Sequence, residues 1–442
     1  MVSKSRLASS EIAPLQEVNS QTMTQIAEVE KARPQIEVEK VQAAVLRFVD
    51  WLDRYGETSF DHQSFFASDW GRGAKALYYR RPWLGILAVS PMIFCEAFVP
   101  SARKLFWKPQ RFAIADAHYA MGFAFLSKAL DERRYYQRAV HFLEVLKASR
   151  TQGYDHYCWG YPFNWETRGG TLLADTPFIT TVPYVYEAFR EVYLIDEQSQ
   201  WREIMQSIAQ HAVQDYRDFE ISANASSCAY NPGLGNSSGV INASAYRAFL
   251  LTRAAVDFSE EHYRAIADKN LNFVLQSQNP DGSWYYSVDG ARDFVDHFHT
   301  CFVLKALAKI EALTGNPGCT RAIERGVDYY TRNLFDEQGL PKPFSRRPRL
   351  TVYRRELYDY AECINLAVLL KGRFPALDEI ITRVVKLGEW QKADGSFRSR
   401  KLLLGWDNTP MHRWAQAQLF RSLCFLLSQS KCRHSSESLW RN

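Results

Sequence analysis

Of the 442 residues, 46% are hydrophobic, 14% aromatic and 23% charged, which is enough apolar surface to offset the entropy of ordering and excludes an intrinsically disordered chain. A formal net charge of +5, from 54 Lys and Arg against 49 Asp and Glu, is modest at this length and gives no reason to expect a nucleic-acid partner. The eight cysteines are dispersed with no C-x-x-C pair and the first residues hold no continuous apolar run, so neither a disulfide framework nor a secretory signal is expected, and the predicted location is cytoplasmic.

Residues 1–35 are polar and without apolar period, and are expected to form a flexible tail. An N-terminal helical extension is predicted over 36–110. In it Val38, Val41, Val45, Phe48, Val49 and Leu52 recur at three- and four-residue steps on one helix face, as a prefix to the main body. Further on, WLGILAVSPMIFCEAFV (83–99) is apolar but falls short of the roughly 20 residues that span a bilayer, and Pro91 and Glu96 interrupt it. It reads as a buried or capping helix. The alternative is peripheral membrane contact through 83–99 beside the basic cluster Arg80, Arg81, Arg103 and Lys104, which would make the protein membrane-associated.

From about 111 to 430 one pattern repeats: an amphipathic helix, a loop rich in Gly, Asn, Asp and aromatics, then another helix. Gly282, Gly339 and Gly395 lie 57 and 56 residues apart, an interval that fits one helical hairpin. A hairpin cannot bury its apolar face alone, so about six of them are expected to close into an all-α α/α toroid, with inner helices such as TCFVLKALAKIEAL (300–313). Residues 431–442 are expected to form a second flexible tail.

In such a ring the loops gather at one end, and chemistry would sit in that mouth. RDFVDHFHT (292–300) offers Asp296 to orient His299 or His297 for proton transfer. CWGYPFNWETRGG (158–170) combines the rings of Tyr161 and Trp165, which can stack on sugar faces, with the planar cation Arg168. SCAYNPGLGNSSGVINASA (227–245) supplies Asn231 and Asn242 and does not match a phosphate-binding glycine loop. The stretch 342–362 places Arg354 beside Tyr358 and Asp359, where a guanidinium could hold a carboxylate while an acid transfers a proton. WDNTPMHRWAQ (406–416) adds Trp406 and Arg413. A zinc site from Cys158, Cys228 or Cys363 with His299 is not demanded by spacing, and neither a metal nor a cofactor is expected.

Over about 105–430 the chain resembles a family of bacterial and archaeal α/α-toroid proteins found among polysaccharide-biosynthesis gene products. The segments that carry the resemblance include WGYPFNWETRGG (159–170), TPFITTVPYVYEAF (176–189), QNPDGSWYY (278–286), DHFHTCFVLKAL (296–307) and MHRWAQAQLF (411–420). Some members bear a delta-aminolevulinic acid dehydratase label, which implies a β/α barrel that nothing in this helical pattern supports. More widely, 269–284 is similar to the repeat of terpenoid cyclases and 296–307 to a segment of prenyltransferase β subunits, without their acidic or zinc-ligand motifs. The rest is similar to six-hairpin glycosidases, toroid lyases and epimerases. Where relatives have an Asp-x-His-Ser type segment, this chain reads ELYDYAEC (356–363), so if that histidine is the base, Tyr358, Asp359 or Glu362 would have to stand in for it or the protein would be inactive.

The resemblance implies action on, or binding of, an anionic polysaccharide or lipid-linked oligosaccharide in exopolysaccharide production, as a lyase, hydrolase or epimerase. His299 and Tyr285 would move protons with Asp296 and Asp359 assisting, Arg168 and Arg354 would neutralise a carboxylate, and Trp165 and Trp284 would stack on sugar rings. Tyr161, Asn231, Asn242, His297, Tyr358, Trp406 and Arg413 would complete the binding surface. An isoprenoid-processing toroid and a non-catalytic assembly scaffold are the alternatives.

Overall fold

A computed structural model describes residues 37–233, 239–348, 351–387 and 389–439, so the expected tail at 1–35 lies outside the described residues. The longer helices are α1 (Val38–Tyr55), α2 (Asp69–Arg80), α3 (Pro82–Phe98), α4 (Ala113–Leu130), α5 (Arg133–Ala148), α6 (Val182–Asp196) and α7 (Ser199–Gln214). After them come α8 (Ile241–Phe258), α9 (Glu261–Gln276), α10 (His297–Thr314), α11 (Pro317–Asn333), α12 (Leu357–Leu369), α13 (Pro375–Leu387) and α14 (Ala417–Leu439). Where a tail was expected from 431, α14 runs on to Leu439.

Two helix chemistries alternate. In α4, 13 of 18 residues are buried, and in α12 all but one, so these helices have no face to offer water and must be central. By contrast α5 buries only Tyr135, Ala139, Phe142, Leu143 and Leu146, a single stripe at helical spacing. The central helices α4, α6, α8, α10, α12 and α14 each pack on the next, and α14 packs back on α4, closing the ring. Their striped partners α5, α7, α9, α11 and α13 lie outside.

The sixth outer place is taken by α1, which packs on α14. Phe48 stacks on Phe397 at 4.4 Å and on Phe420 at 5.2 Å, and Gln391 donates to the Ala44 carbonyl at 2.8 Å. The helix read as a prefix is thus the last outer helix of the ring, supplied from the other end of the chain.

Inner and outer helices are joined by tight turns at Asp131, Glu197, Ser259 and Gly315, all with positive φ. The long loops precede the inner helices and carry short antiparallel strands: β1 (Trp165–Thr167) with β2 (Gly170–Leu172), β3 (Asp218–Ser222) with β4 (Ala225–Cys228), β5 (Val295–Asp296) with β6 (Phe344–Arg346), and β7 (Tyr353–Glu356) with β8 (Arg400–Leu402) and β9 (Trp406–Asp407). All therefore lie at the end of the ring where the inner helices begin. The segment between α1 and α4 has a small core of Phe65, Ala74, Val89 and Met92. It is pinned to this end by Arg103 with Asp407 at 2.7 Å, Glu96 with Arg400 at 3.0 Å, and Asp61 with Arg413 at 2.7 Å.

Candidate active site

At the loop end, aromatic and cationic groups touch one another in a closed circuit. Tyr161 packs on Phe178 (5.0 Å between centroids), Phe178 on Tyr230 (5.6 Å), and Tyr230 shares a hydroxyl hydrogen bond with Tyr286. Tyr286 meets His299 edge-on at 4.7 Å, and Phe298 beside it meets Trp414 at 6.5 Å. The Arg413 guanidinium lies 4.7 Å over Trp414 and 4.4 Å over Tyr161, which closes the loop. Trp165 extends the circuit through Tyr161 and Phe178.

His299 stands in the first turn of α10. Asp296, the N-cap, accepts from the His299 backbone N–H at 2.9 Å and holds its Nδ1 at 2.6 Å. With Nδ1 engaged, Nε2 is the nitrogen left to exchange a proton, and the imidazole keeps 20% of its surface exposed while Asp296 keeps 2%. Next to this pair lies Asp359, fully buried in the first turn of α12 with no protein hydrogen bond to either carboxyl oxygen. Burial, then the charges of Glu356 and Asp296, push its carboxyl well above the usual range and keep it protonated. Burial also pushes Glu356 up, against the pull of Arg400. Asn242, in the first turn of α8 beside the Ile241 N–H that donates to the Tyr286 carbonyl, is buried with both amide atoms unpartnered in the protein. Unpaired buried polar groups of this kind are costly, which makes Asp359 and Asn242 candidates to contact a ligand at the loop end of the ring.

The structure thus brings His299, Asp296, Asp359, Tyr358, Tyr161, Trp165, Asn242 and Arg413 to one end of the ring. Tyr358 packs between Phe298 at 5.3 Å and Trp414 at 5.4 Å. Arg413 is not free to bind an anion, because Asp61 takes it with two bonds of 2.7 Å. Asn231 is buried and spends its carbonyl on the Gly233 N–H at 2.9 Å.

Other expected residues lie elsewhere. Trp284 is 3% exposed, donates its indole N–H to the Val274 carbonyl at 3.0 Å and packs on the wall of the ring, leaving no face for a sugar. His297 is fully buried between Tyr330 at 2.7 Å and the Leu334 carbonyl at 3.2 Å, which ties α10 to α11, and burial lowers its pKa to about 3. Tyr285 points to the rim, where Arg346 donates to its hydroxyl at 3.3 Å, while its neighbour Tyr286 is the ring against His299. Arg168, beside the β1–β2 turn, and Arg354, on β7, are exposed to solvent. Trp406 lies between Arg398 at 4.9 Å and Lys401 at 4.7 Å on β9. Among the described residues no group of three or more His, Cys, Asp or Glu is placed to hold a metal ion, and Cys158, Cys228 and Cys363 are separately buried.

Sequence reasoning missed Asp61 and His62, which enter from the segment between α1 and α4. Asp61 accepts from the Trp414 indole at 2.9 Å, and His62 lies 5.1 Å from Trp414 and 3.5 Å from Glu356. Burial and the nearby Arg400, Arg103 and Arg413 hold the His62 imidazole neutral. The only local signal is the pair Asp61-His62 in an aromatic stretch without period.

No family model matches the chain, and no curated protein matches it. Solved structures do. The cellobiose 2-epimerase from Spirochaeta thermophila is 13% identical with a TM-score of 0.56, over 80% of this chain and 99% of that one. The cellobiose 2-epimerase from Bacillus thermoamylovorans is 11% identical with a TM-score of 0.57, over 73% and 88%. The unsaturated glucuronyl hydrolase from Bacillus sp. GL1 is 13% identical with a TM-score of 0.54, over 72% and 88%. Identities this low speak to the fold, and with the helix order above they show it: the chain is an all-α α/α toroid of six helical hairpins.

Proposed function

We propose that the protein is a carbohydrate-active enzyme whose mouth binds a sugar unit and whose His299–Asp296 pair moves a proton on it. The observation that carries this reading is the closed aromatic circuit with one partly exposed, carboxylate-oriented imidazole on its wall. Ring faces bind the C–H surfaces of a pyranose, and an imidazole can both take and return a proton.

That the histidine is partly exposed while Asp296, Asp359 and Glu356 stay 3% exposed or less favours abstraction and return of a proton, as in epimerisation or isomerisation, over hydrolysis by two carboxylates. Arg168 and Arg354 lie in solvent and Arg413 is neutralised, so we favour an uncharged sugar over the anionic one expected from the arginine-rich loop. The printed names of the similar structures, two sugar epimerases and a glucuronyl hydrolase, support a saccharide. A polysaccharide or lipid-linked oligosaccharide of exopolysaccharide production is the substrate class this reading names.

The test is incubation with a panel of neutral and uronate oligosaccharides in D2O, followed by NMR. Deuterium entry at a sugar carbon, abolished in His299→Ala, supports the reading. New reducing ends without exchange would assign hydrolysis instead, and turnover of uronates alone would overturn the uncharged substrate.

A further inference from the structure

The helix α3 buries one narrow face, Gly85, Val89, Met92 and Ala97, and turns the rest to solvent. That outer surface is apolar: Trp83 is 86% exposed, Leu87 72% and Phe94 59%, with Leu84, Ile86 and Phe98 around them. Most large apolar side chains exposed on a folded chain are scattered singly, whereas a contiguous patch marks a binding surface. Among the described residues no helix is long and apolar enough to cross a membrane.

The charges around the patch identify its occupant. Arg80 and Arg81 stand at the start of α3, and Lys104 and Lys108 follow it, all exposed. Arg103, counted with them in the sequence, is instead buried against Asp407. Lys104 and Lys108 also line a surface groove of about 540 Å³ with Phe60, Leu105, Phe106, Trp107 and Pro109. A second copy of the chain would set these cations against each other. An anionic headgroup layer would neutralise them while Trp83, Leu87 and Phe94 enter the acyl boundary. The inward side of the hairpin is tied to the ring by Glu96 with Arg400, which leaves the apolar side facing solvent.

We infer that the α2–α3 hairpin docks the protein on an anionic lipid bilayer, lying in the interface and not spanning it. Whatever the mouth binds, this face is independent of it.

The experiment is co-sedimentation of the full chain with vesicles of phosphatidylcholine alone or mixed with phosphatidylglycerol, alongside light scattering for oligomeric state. Binding to the mixed vesicles, weakened at high salt, is expected. The double variant Trp83→Glu and Phe94→Glu lowers it at least about tenfold, and Arg81→Glu and Lys104→Glu each lower it about fivefold. Unchanged far-UV circular dichroism and melting show that these variants fold. Absence of binding to either vesicle, or a native dimer that the double variant converts to monomer, would overturn the inference.

Discussion

Gly395 sits at φ +96° with its Cα against the backbone of Arg47, so close that a Cβ there would lie 2.4 Å from the Arg47 carbonyl oxygen. Gly282 stands in the same relation to Arg325 on α11, at φ +93° and 2.3 Å. The flanking bonds repeat too: Gln278 donates to the Gly282 and Ala322 carbonyls, and Gln391 to those of Gly395 and Ala44. Each loop is stitched to the next outer helix, and the stitch at Gly395 reaches α1. Gly395→Ala should cost about 3 kcal/mol, from left-handed strain plus overlap with backbone. Gly405→Ala, at φ +72° with open space around it, should cost about 1 kcal/mol. Urea denaturation of the two variants measures the difference.

The repeat was legible because a positive φ against a neighbouring helix demands glycine, and glycines at 282, 339 and 395 therefore recur at hairpin spacing. The same stitch explains why Trp284 was mistaken for a sugar platform: it is the counterpart of Phe397, which fills the wall against Phe48. The place of α1 was not legible, since periodicity read along a chain does not show that its two ends meet. At the site, His299, Asp296 and Asp359 were found because each falls in or at the first turn of an inner helix. Tyr285 and Tyr286 are neighbours in a loop without regular structure, and no pattern distinguishes between them.

His299→Ala should lower turnover about 10²- to 10⁴-fold with little change in melting. Asp296→Asn, which keeps the cap acceptor but loses the charge on the imidazole, should fall between and shift the pH profile of kcat. Steady-state kinetics on the substrate found by deuterium exchange would check both; full activity in His299→Ala removes it from the chemistry.

Asp359 keeps in the folded state a proton that the unfolded chain releases above the ordinary carboxylate pKa. Stability from this group is therefore present at low pH and lost as pH rises toward the folded value. Asp359→Asn should melt close to the native protein near about pH 4 and higher than it near about pH 8. Equal melting at both values would mean that the carboxyl is not held neutral.

His297 runs the other way. Its folded pKa of about 3 lies below the unfolded value, so stability is lost as pH falls from the unfolded pKa toward 3. By about pH 4.5 the loss should reach about 3 kcal/mol. His297→Gln, destabilised at neutral pH by the lost contacts to Tyr330, should converge on the native protein as the solution is acidified, which urea midpoints across the range would record.

Asp61→Asn leaves Arg413 buried without its counter-charge and should cost about 3–5 kcal/mol. Because Asp61 and the Arg103 and Glu96 pairs pin residues 57–110, limited proteolysis should cut that segment first in the variant, and cleavage elsewhere would point to a different weak spot.

A ring whose sixth outer helix is its first in sequence sets an order of events during synthesis. Arg47 and Gln391, hydrogen-bonded at 2.6 Å, are 344 positions apart, on the order of half a minute of translation. For that time the face of Val41, Val45, Phe48 and Leu52 emerges from the ribosome with no partner to cover it, an invitation to chaperones until the last inner helix of the nascent chain arrives.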